Sequence, residues 1–263
     1  MLNYIKNRIT IYGKGVEKII QNHIRTIDGK ILFDFDTILK MPEELLIENG
    51  IKAEDGLRLA IAKRDPNNKE IGTKNEKMSN SDLYDFLEQT FATDMINIFI
   101  LTNVLNSYKN VQNLKNIYQD NFDEVMELGE KCIKNLQKYG SMDWFDWRIK
   151  NWGAPSNARK TNISKNIIEF QSEWDPPFPV IEKFAKMYPE LEIIHDYAEE
   201  RIGYLAGSRK YVNGELDTSE IFDIYSKEAF ELAFDLWHCQ NKFVFDSKKN
   251  TYVLKKYADA QMD

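Results

Sequence analysis

The chain carries only two cysteines in 263 residues, Cys132 and Cys239, far apart. That excludes a disulfide-stapled scaffold and a Cys-built zinc or iron–sulfur site, and it fits a reducing compartment. His23, His195 and His238 are the only histidines, and no two share a metal-ligand spacing. No apolar run approaches the roughly 20 residues that span a bilayer, and Met1-Leu-Asn-Tyr-Ile-Lys-Asn-Arg8 lacks the apolar core of a signal peptide. The expectation is a soluble protein of the cytoplasm. A phosphate loop, a Gly-x-Gly-x-x-Gly turn, a Gly-x-Ser-x-Gly elbow and internal repeats are also missing. So is positive charge in excess: the net charge is −7, which argues against broad binding to phosphate backbones.

What is present is apolar and aromatic. Apolar residues make up 43% and aromatics 13%, enough for a folded core without disulfides or metal. Charge is uneven. Leu191 to Asp235 holds eleven acids and four bases, whereas residues 1–40 hold seven bases and four acids. Such a segment reads either as a solvated acidic face or as a surface that docks on a basic partner. Four of the five tryptophans, Trp144, Trp147, Trp152 and Trp174, fall in one short stretch, which marks a structural hub or a recognition surface.

Ile9 and Ile11 alternate with polar residues as a half-buried strand requires. Val16, Ile19, Ile20 and Ile24 then recur at helical spacing. After the Asp28-Gly29 turn, Ile31, Phe33 and Phe35 alternate with Leu32, Asp34 and Asp36 as a second strand. Pro42 suits a helix start. Residues 63–80 read as an exposed loop, and Ser81 as the cap of a helix whose stripe runs from Tyr84 to Leu105. A further helix turns Phe122, Val125, Met126, Ile133 and Leu136 inward. Ser141 caps the short Trp-bearing helix, with Phe145, Ile149 and Trp152 on one face and Gly153 and Pro155 ending it. Strands follow over Ile163–Trp174, Leu191–Tyr197 and Ile202–Val212, with a helix from Val180 to Met187 between the first two. Asn213-Gly214 is a hairpin turn. A last helix is expected from Ser219 to His238, then short strands at Phe243 and Tyr252.

The pattern predicts an α+β protein: a split βαβ antiparallel sheet with a large helical insertion and a C-terminal helical extension. Residues 1–40 and 160–218 form the core, 41–159 the insertion, and 219–263 an extension packed on the core.

Three motifs bear on chemistry. Ile31-Leu-Phe-Asp-Phe-Asp-Thr-Ile-Leu39 is similar to the phosphatase signature of the haloacid dehalogenase family, in which the first Asp is the nucleophile and both carboxylates hold Mg²⁺. The Gly expected before Thr37 is missing, as is a later Gly-Asp-x-x-x-Asp, so Asp34 and Asp36 make a remote Mg²⁺-dependent phosphohydrolase reading; a solvated strand edge explains them equally well. Asp143 and Asp146 share a helix face, where the dipole alone favours acids. Arg148 can pair with either or lie over a Trp ring. Aromatic and basic residues of the N-terminal half would serve a single-stranded nucleic-acid-binding module, but Glu169, Glu173 and Asp175 would repel phosphates there.

Asp143-Trp-Phe-Asp-Trp-Arg-Ile-Lys-Asn-Trp-Gly153 with Asn157-Ala158, then Glu173-Trp-Asp-Pro-Pro-Phe-Pro-Val-Ile181 and Tyr188-Pro189, resembles the YubB-type ferredoxin-like family of phage- and plasmid-encoded proteins. Phe33-Asp-Phe-Asp-Thr-Ile-Leu-Lys-Met-Pro-Glu-Glu-Leu45 is similar to that family's N-terminal block, which gives the Asp-x-Asp a non-catalytic home. The resemblance covers residues 1–60 and 138–215 and departs at Gly153-Ala-Pro-Ser-Asn157. It implies a ferredoxin-like fold, a mobile-element origin and no assigned catalysis; fold alone goes no further.

The expectation is therefore a non-enzymatic accessory protein, without cofactor or metal, that binds a host protein. Inhibition of a nucleic-acid-targeting defence system such as CRISPR is one concrete form. Direct nucleic-acid binding and membrane association are not expected. The residues expected to meet the partner are Trp144, Trp147, Arg148, Asp196, Glu199, Glu200, Glu215 and Asp217, with Trp152 reserved for the core.

Overall fold

The computed structural model describes residues 3–64 and 111–255. The expected loop beyond residue 64 and the helix expected from Ser81 to Leu105 lie outside the described residues. In order, the described elements are β1 (Tyr4–Tyr12), α1 (Val16–Asn22), β2 (Ile24–Ile27), β3 (Lys30–Phe33), α2 (Ile51–Arg64), α3 (Val111–Ile117), α4 (Phe122–Tyr139) and α5 (Trp144–Trp152). Then come β4 (Arg159–Ser164), β5 (Ile167–Glu173), α6 (Phe178–Met187), β6 (Glu192–Glu199), β7 (Ala206–Val212), β8 (Glu215–Ile221), α7 (Lys227–Trp237), β9 (Phe243–Asp246) and β10 (Thr251–Leu254). Two compact units result: Met1–Lys40 with Arg148–Asp263, and Met41–Trp147. The second boundary lies within α5, before the residue 159 expected, and residues 219–263 join the first unit.

The first unit is built on a six-stranded sheet in the order β4-β5-β1-β6-β7-β8, antiparallel at every pairing. β5 and β6 both oppose β1 and so run parallel to each other with β1 between them, joined by the crossover helix α6. By the same logic β1 and β4 run parallel around β5. Two interleaved split βαβ units make this the expected ferredoxin-like α+β fold, with β7 and β8 added beside β6.

Several local expectations need correction. Asp34 and Asp36 are not strand residues: β3 ends at Phe33, and Phe35–Thr37 is a 3₁₀ turn whose cap, Asp34, accepts from the Asp36 amide. β3 pairs with β2 across Asp28-Gly29, both at positive φ, as a hairpin separate from the main sheet. Ile163–Trp174 is a hairpin rather than one strand, turning at Lys165-Asn166. Pro42 opens only a 3₁₀ turn, Glu43–Leu45. Residues 219–221 finish strand β8, and the last helix begins after Ser226, whose hydroxyl caps it by accepting from the Ala229 amide.

One face of the sheet carries Ile5, Ile9, Ile11, Ile168, Phe170 and Ile193, all fully buried beneath α6 with Phe33, Phe35 and Phe184. Phe33 meets Phe170 at 5.4 Å and Phe184 at 6.2 Å, the latter edge-on, a geometry the ring quadrupoles favour. A polar string runs through this apolar layer. His195 Nε2 meets Asn7 Oδ1 at 2.9 Å, Asn7 Nδ2 donates to Ser172 Oγ at 2.9 Å, and Ser172 Oγ donates to the Asp175 carbonyl at 2.7 Å. The opposite face is covered by α7. Ala198, Ala206, Ala229 and Ala233 let helix and sheet approach closely, and Trp237 Nε1 donates to the Ala198 carbonyl at 3.0 Å.

In the second unit α2 packs on α4 through Leu57, Ala60, Ile61, Val125, Leu128, Cys132, Ile133 and Leu136. Gly56 and Gly129 meet at the crossing, where a Cβ on either would strike the other helix's backbone. Asn135 Nδ2 donates to the Glu44 and Met142 carbonyls, tying the flanking loops to α4. Burial pushes the Cys132 thiol up to about 12, which leaves it unreactive. No helix among the described residues is long and apolar enough to cross a membrane.

Gly129→Ala should destabilise the protein by about 2–3 kcal/mol, although Ala favours helix, because the crossing backbones cannot part cheaply. A lowered urea midpoint reads this.

Burial, with the Arg209 charge adding to it, lowers the His195 imidazole from its ordinary 6.5 to about 3. As pH falls below about 6.5, the unfolded chain takes up a proton that the folded one refuses, so stability drops. By pH 5 the loss from His195 should be about 2 kcal/mol. His195→Gln should flatten urea-derived stability between pH 6.5 and 5 by that amount; an unchanged slope would refute the assignment.

Candidate functional site

The tryptophan segment forms α5 because Asp143, not Ser141, caps it. Asp143 Oδ1 accepts from the Phe145 amide at 2.8 Å and the Asp146 amide at 3.1 Å. Burial raises the Asp143 carboxyl; burial and the Asp143 charge raise Asp146 to about 6. Trp152, 1% exposed, donates from Nε1 to the Leu39 carbonyl at 2.8 Å and stands edge-on to Phe35. The Arg148 guanidinium lies 4.9 Å over the Trp152 ring, so Arg148 is spent on packing. Trp147 is buried and Trp144 half-buried. Ile149, expected inside, is exposed, and so is Trp174, which sits at φ 72° where β5 ends. Of the two tryptophans expected to meet a partner, Trp144 is the more accessible; Trp174 is the most exposed residue of the four.

The Asp-x-Asp motif is a fastening point. Asp34 is buried; its Oδ2 pairs with Arg25 Nε at 2.6 Å, and its Oδ1 accepts from Asn157 Nδ2 at 2.7 Å and from the Asp36 amide at 3.1 Å. Asn157 Oδ1 accepts in turn from the Phe35 amide at 2.9 Å. One asparagine thus locks the chain leaving β3 to the start of β4. Nothing in the spacing of residues 34 and 157 signals this partnership; only the Asn157-Ala158 of the resembling motif hinted that the position mattered. Among the described residues no group of three or more His, Cys, Asp or Glu side chains could hold a metal ion. His23 is likewise structural, bonded to Thr37 Oγ1 at 2.7 Å and Tyr188 Oη at 2.8 Å, and burial lowers its pKa.

The acidic residues separate into two sets. Asp196 is half-buried: Arg8 Nη2 pairs with it at 3.1 Å, and Ser208 Oγ donates to it at 2.7 Å. Glu199 is 5% exposed and pairs with Arg201 at 3.5 Å. Both carboxylates are thus engaged within the first unit. Glu200, Glu215 and Asp217 are exposed, the last two on β8 together with Glu220. All seven residues of β8 are exposed, three of them acidic and none basic. Glu215 lies 4.0 Å from Lys186 Nζ, and among the described residues Asp217 and Glu220 form no ion pair.

The basic residues of β1 are matched rather than displayed. Lys6 pairs with Glu169, and Arg8 with Asp196 and Asp235, on the face that α7 covers. An open basic sheet face for stacking nucleic-acid bases is therefore not offered there.

Asn157→Ala should lower stability by about 3 kcal/mol, since it strips partners from a buried carboxylate and a backbone N–H together. The loss should appear as a lower urea midpoint with an unchanged denaturant slope.

No curated protein matches the chain. Among solved structures, the crystal structure of a protein Api92 from Yersinia pseudotuberculosis is similar at 14% identity, with 85% of this chain and 99% of that chain covered and a TM-score of 0.34. Residues 151–240, from the end of α5 through β8 and α7, match the family model described as the ferredoxin-like domain in Api92-like protein.

Proposed function

We propose that this is a non-enzymatic accessory protein of a phage or plasmid that binds a host protein through an acidic surface. The host protein is one that handles nucleic acid, and inhibition of a defence system such as CRISPR is one form of that activity. The observation that carries the reading is β8, an exposed strand with Glu215, Asp217 and Glu220 and no base. Proteins that grip phosphate backbones present basic surfaces, and an acidic strand is complementary to them. The mobile-element origin rests on the resemblance carried by Asp143–Gly153 and Glu173–Ile181. The absence of catalysis is supported by Asp34, whose carboxylate is buried and held by Arg25, Asn157 and the Asp36 amide, leaving no approach for a phosphate ester.

The tagged full chain should capture a specific protein from a bacterial lysate at physiological salt. The Glu215→Lys, Asp217→Lys, Glu220→Lys triple variant, changed only at exposed positions, should capture at least about tenfold less. A well-folded wild type that captures nothing overturns the binding reading. Equal capture by the variant overturns the acidic surface. Phosphate-ester hydrolysis that Asp34→Asn abolishes while the chain stays folded would overturn the non-enzymatic part.

A further inference from the structure

We infer that β8 binds its partner by strand addition: an extended basic segment of another protein pairs with the outer edge of β8 as one more strand of the sheet. This rests on the protein-binding reading above and specifies its geometry and the sequence it selects.

β8 pairs with β7 on one side, and no strand among the described residues pairs with the other. Its outer backbone N–H and C=O groups form a template that an extended peptide completes. The register with β7 sorts its side chains. Leu216, Ser219 and Ile221 stand opposite Tyr211, Arg209 and Gly207 on one face; Glu215, Thr218 and Glu220 stand opposite Val212, Lys210 and Ser208 on the other. Asp217 is the extra residue where the register shifts. One face of the edge is thus apolar at its ends, with Leu216 at 45% and Ile221 at 65% exposure, and the other is acidic. Past the strand, Ile224 and Tyr225 are exposed as well. A strand that alternates basic and apolar residues satisfies both faces at once, because successive side chains point to opposite sides.

Charge decides the occupant. A second copy of β8 would set two groups of carboxylates side by side with no base between them, which is repulsive. The sheet's opposite edge, β4, carries Arg159, paired with Glu173, and Lys160; it lies beside β3, whose Phe33 amide donates to Thr161 Oγ1, and this obstructs head-to-tail joining of copies. Phosphate backbones are repelled by the same acids. What remains favourable is a cationic, extended protein segment.

The test uses the full chain and a fluorescent peptide as long as β8 that alternates lysine and valine, at physiological salt. Binding should be read by anisotropy, and amide hydrogen exchange should slow within 215–221. N-methylation of the peptide's alternate, edge-facing amides should weaken binding at least about tenfold, because it removes the ladder and keeps the charge. The triple lysine variant should lose the lysine peptide and bind an aspartate–valine peptide instead. Binding that ignores N-methylation, or leaves β8 exchange unchanged, overturns strand addition while the acidic-surface reading stands. Failure of the peptide to bind when lysate capture still depends on Glu215, Asp217 and Glu220 does the same. Self-association that protects β8, seen by sedimentation, overturns the basic partner in favour of a second copy.

Discussion

Everything in the first unit depends on β1 lying between β5 and β6. Ile9 sits opposite Ile168 on one side and His195 on the other. These are long-range pairings, and their loop closure must be repaid by burial. The repayment is the fully buried row Ile5, Ile9 and Ile11 with its neighbours Ile168 and Ile193. Because closure entropy grows only logarithmically with loop length, inserting Met41–Trp147 between β1 and its partners costs little more than a shorter connection. The insertion has its own core around the α2–α4 crossing.

Within the apolar layer, the His195–Asn7–Ser172 string is costly unless each pairing is made. A slip of β6 or β5 by one residue would move these groups to the other face and leave buried polar atoms unpaired. The string therefore works as a register lock. The Asp34–Asn157 clamp has the same logic at the sheet margin, where a carboxylate and an amide hold two distant chain segments together.

The second face explains where the surface charge went. α7 lies on it, and Arg8, Lys6, Asp196, Asp235 and Glu169 neutralise one another there. Two of the seven bases of the first forty residues, and Asp196 and Asp235 of the later acidic stretch, are matched in these contacts. Glu215, Asp217 and Glu220 stand exposed together on β8, at the edge of the sheet, and this is the strand on which the functional reading rests.

Strands and helices whose burial follows a single period were legible from sequence alone: β1 by alternation, α4 and α6 by their 3.6-residue stripes, and the β7–β8 turn by Asn213-Gly214, both residues at positive φ. The α+β class followed from their order. The tertiary structure decided what depends on partners distant in sequence. β8 was hidden because the irregularity at Asp217 breaks its alternation and no residue in it is buried to mark a face. The fates of Asp34, Trp147, Asp196 and Glu199 were hidden because a carboxylate or an indole reads the same in sequence whether it faces water or Arg25, Asn157 and Arg8; local periodicity records which side of an element faces the core, and only packing records what lies on that side.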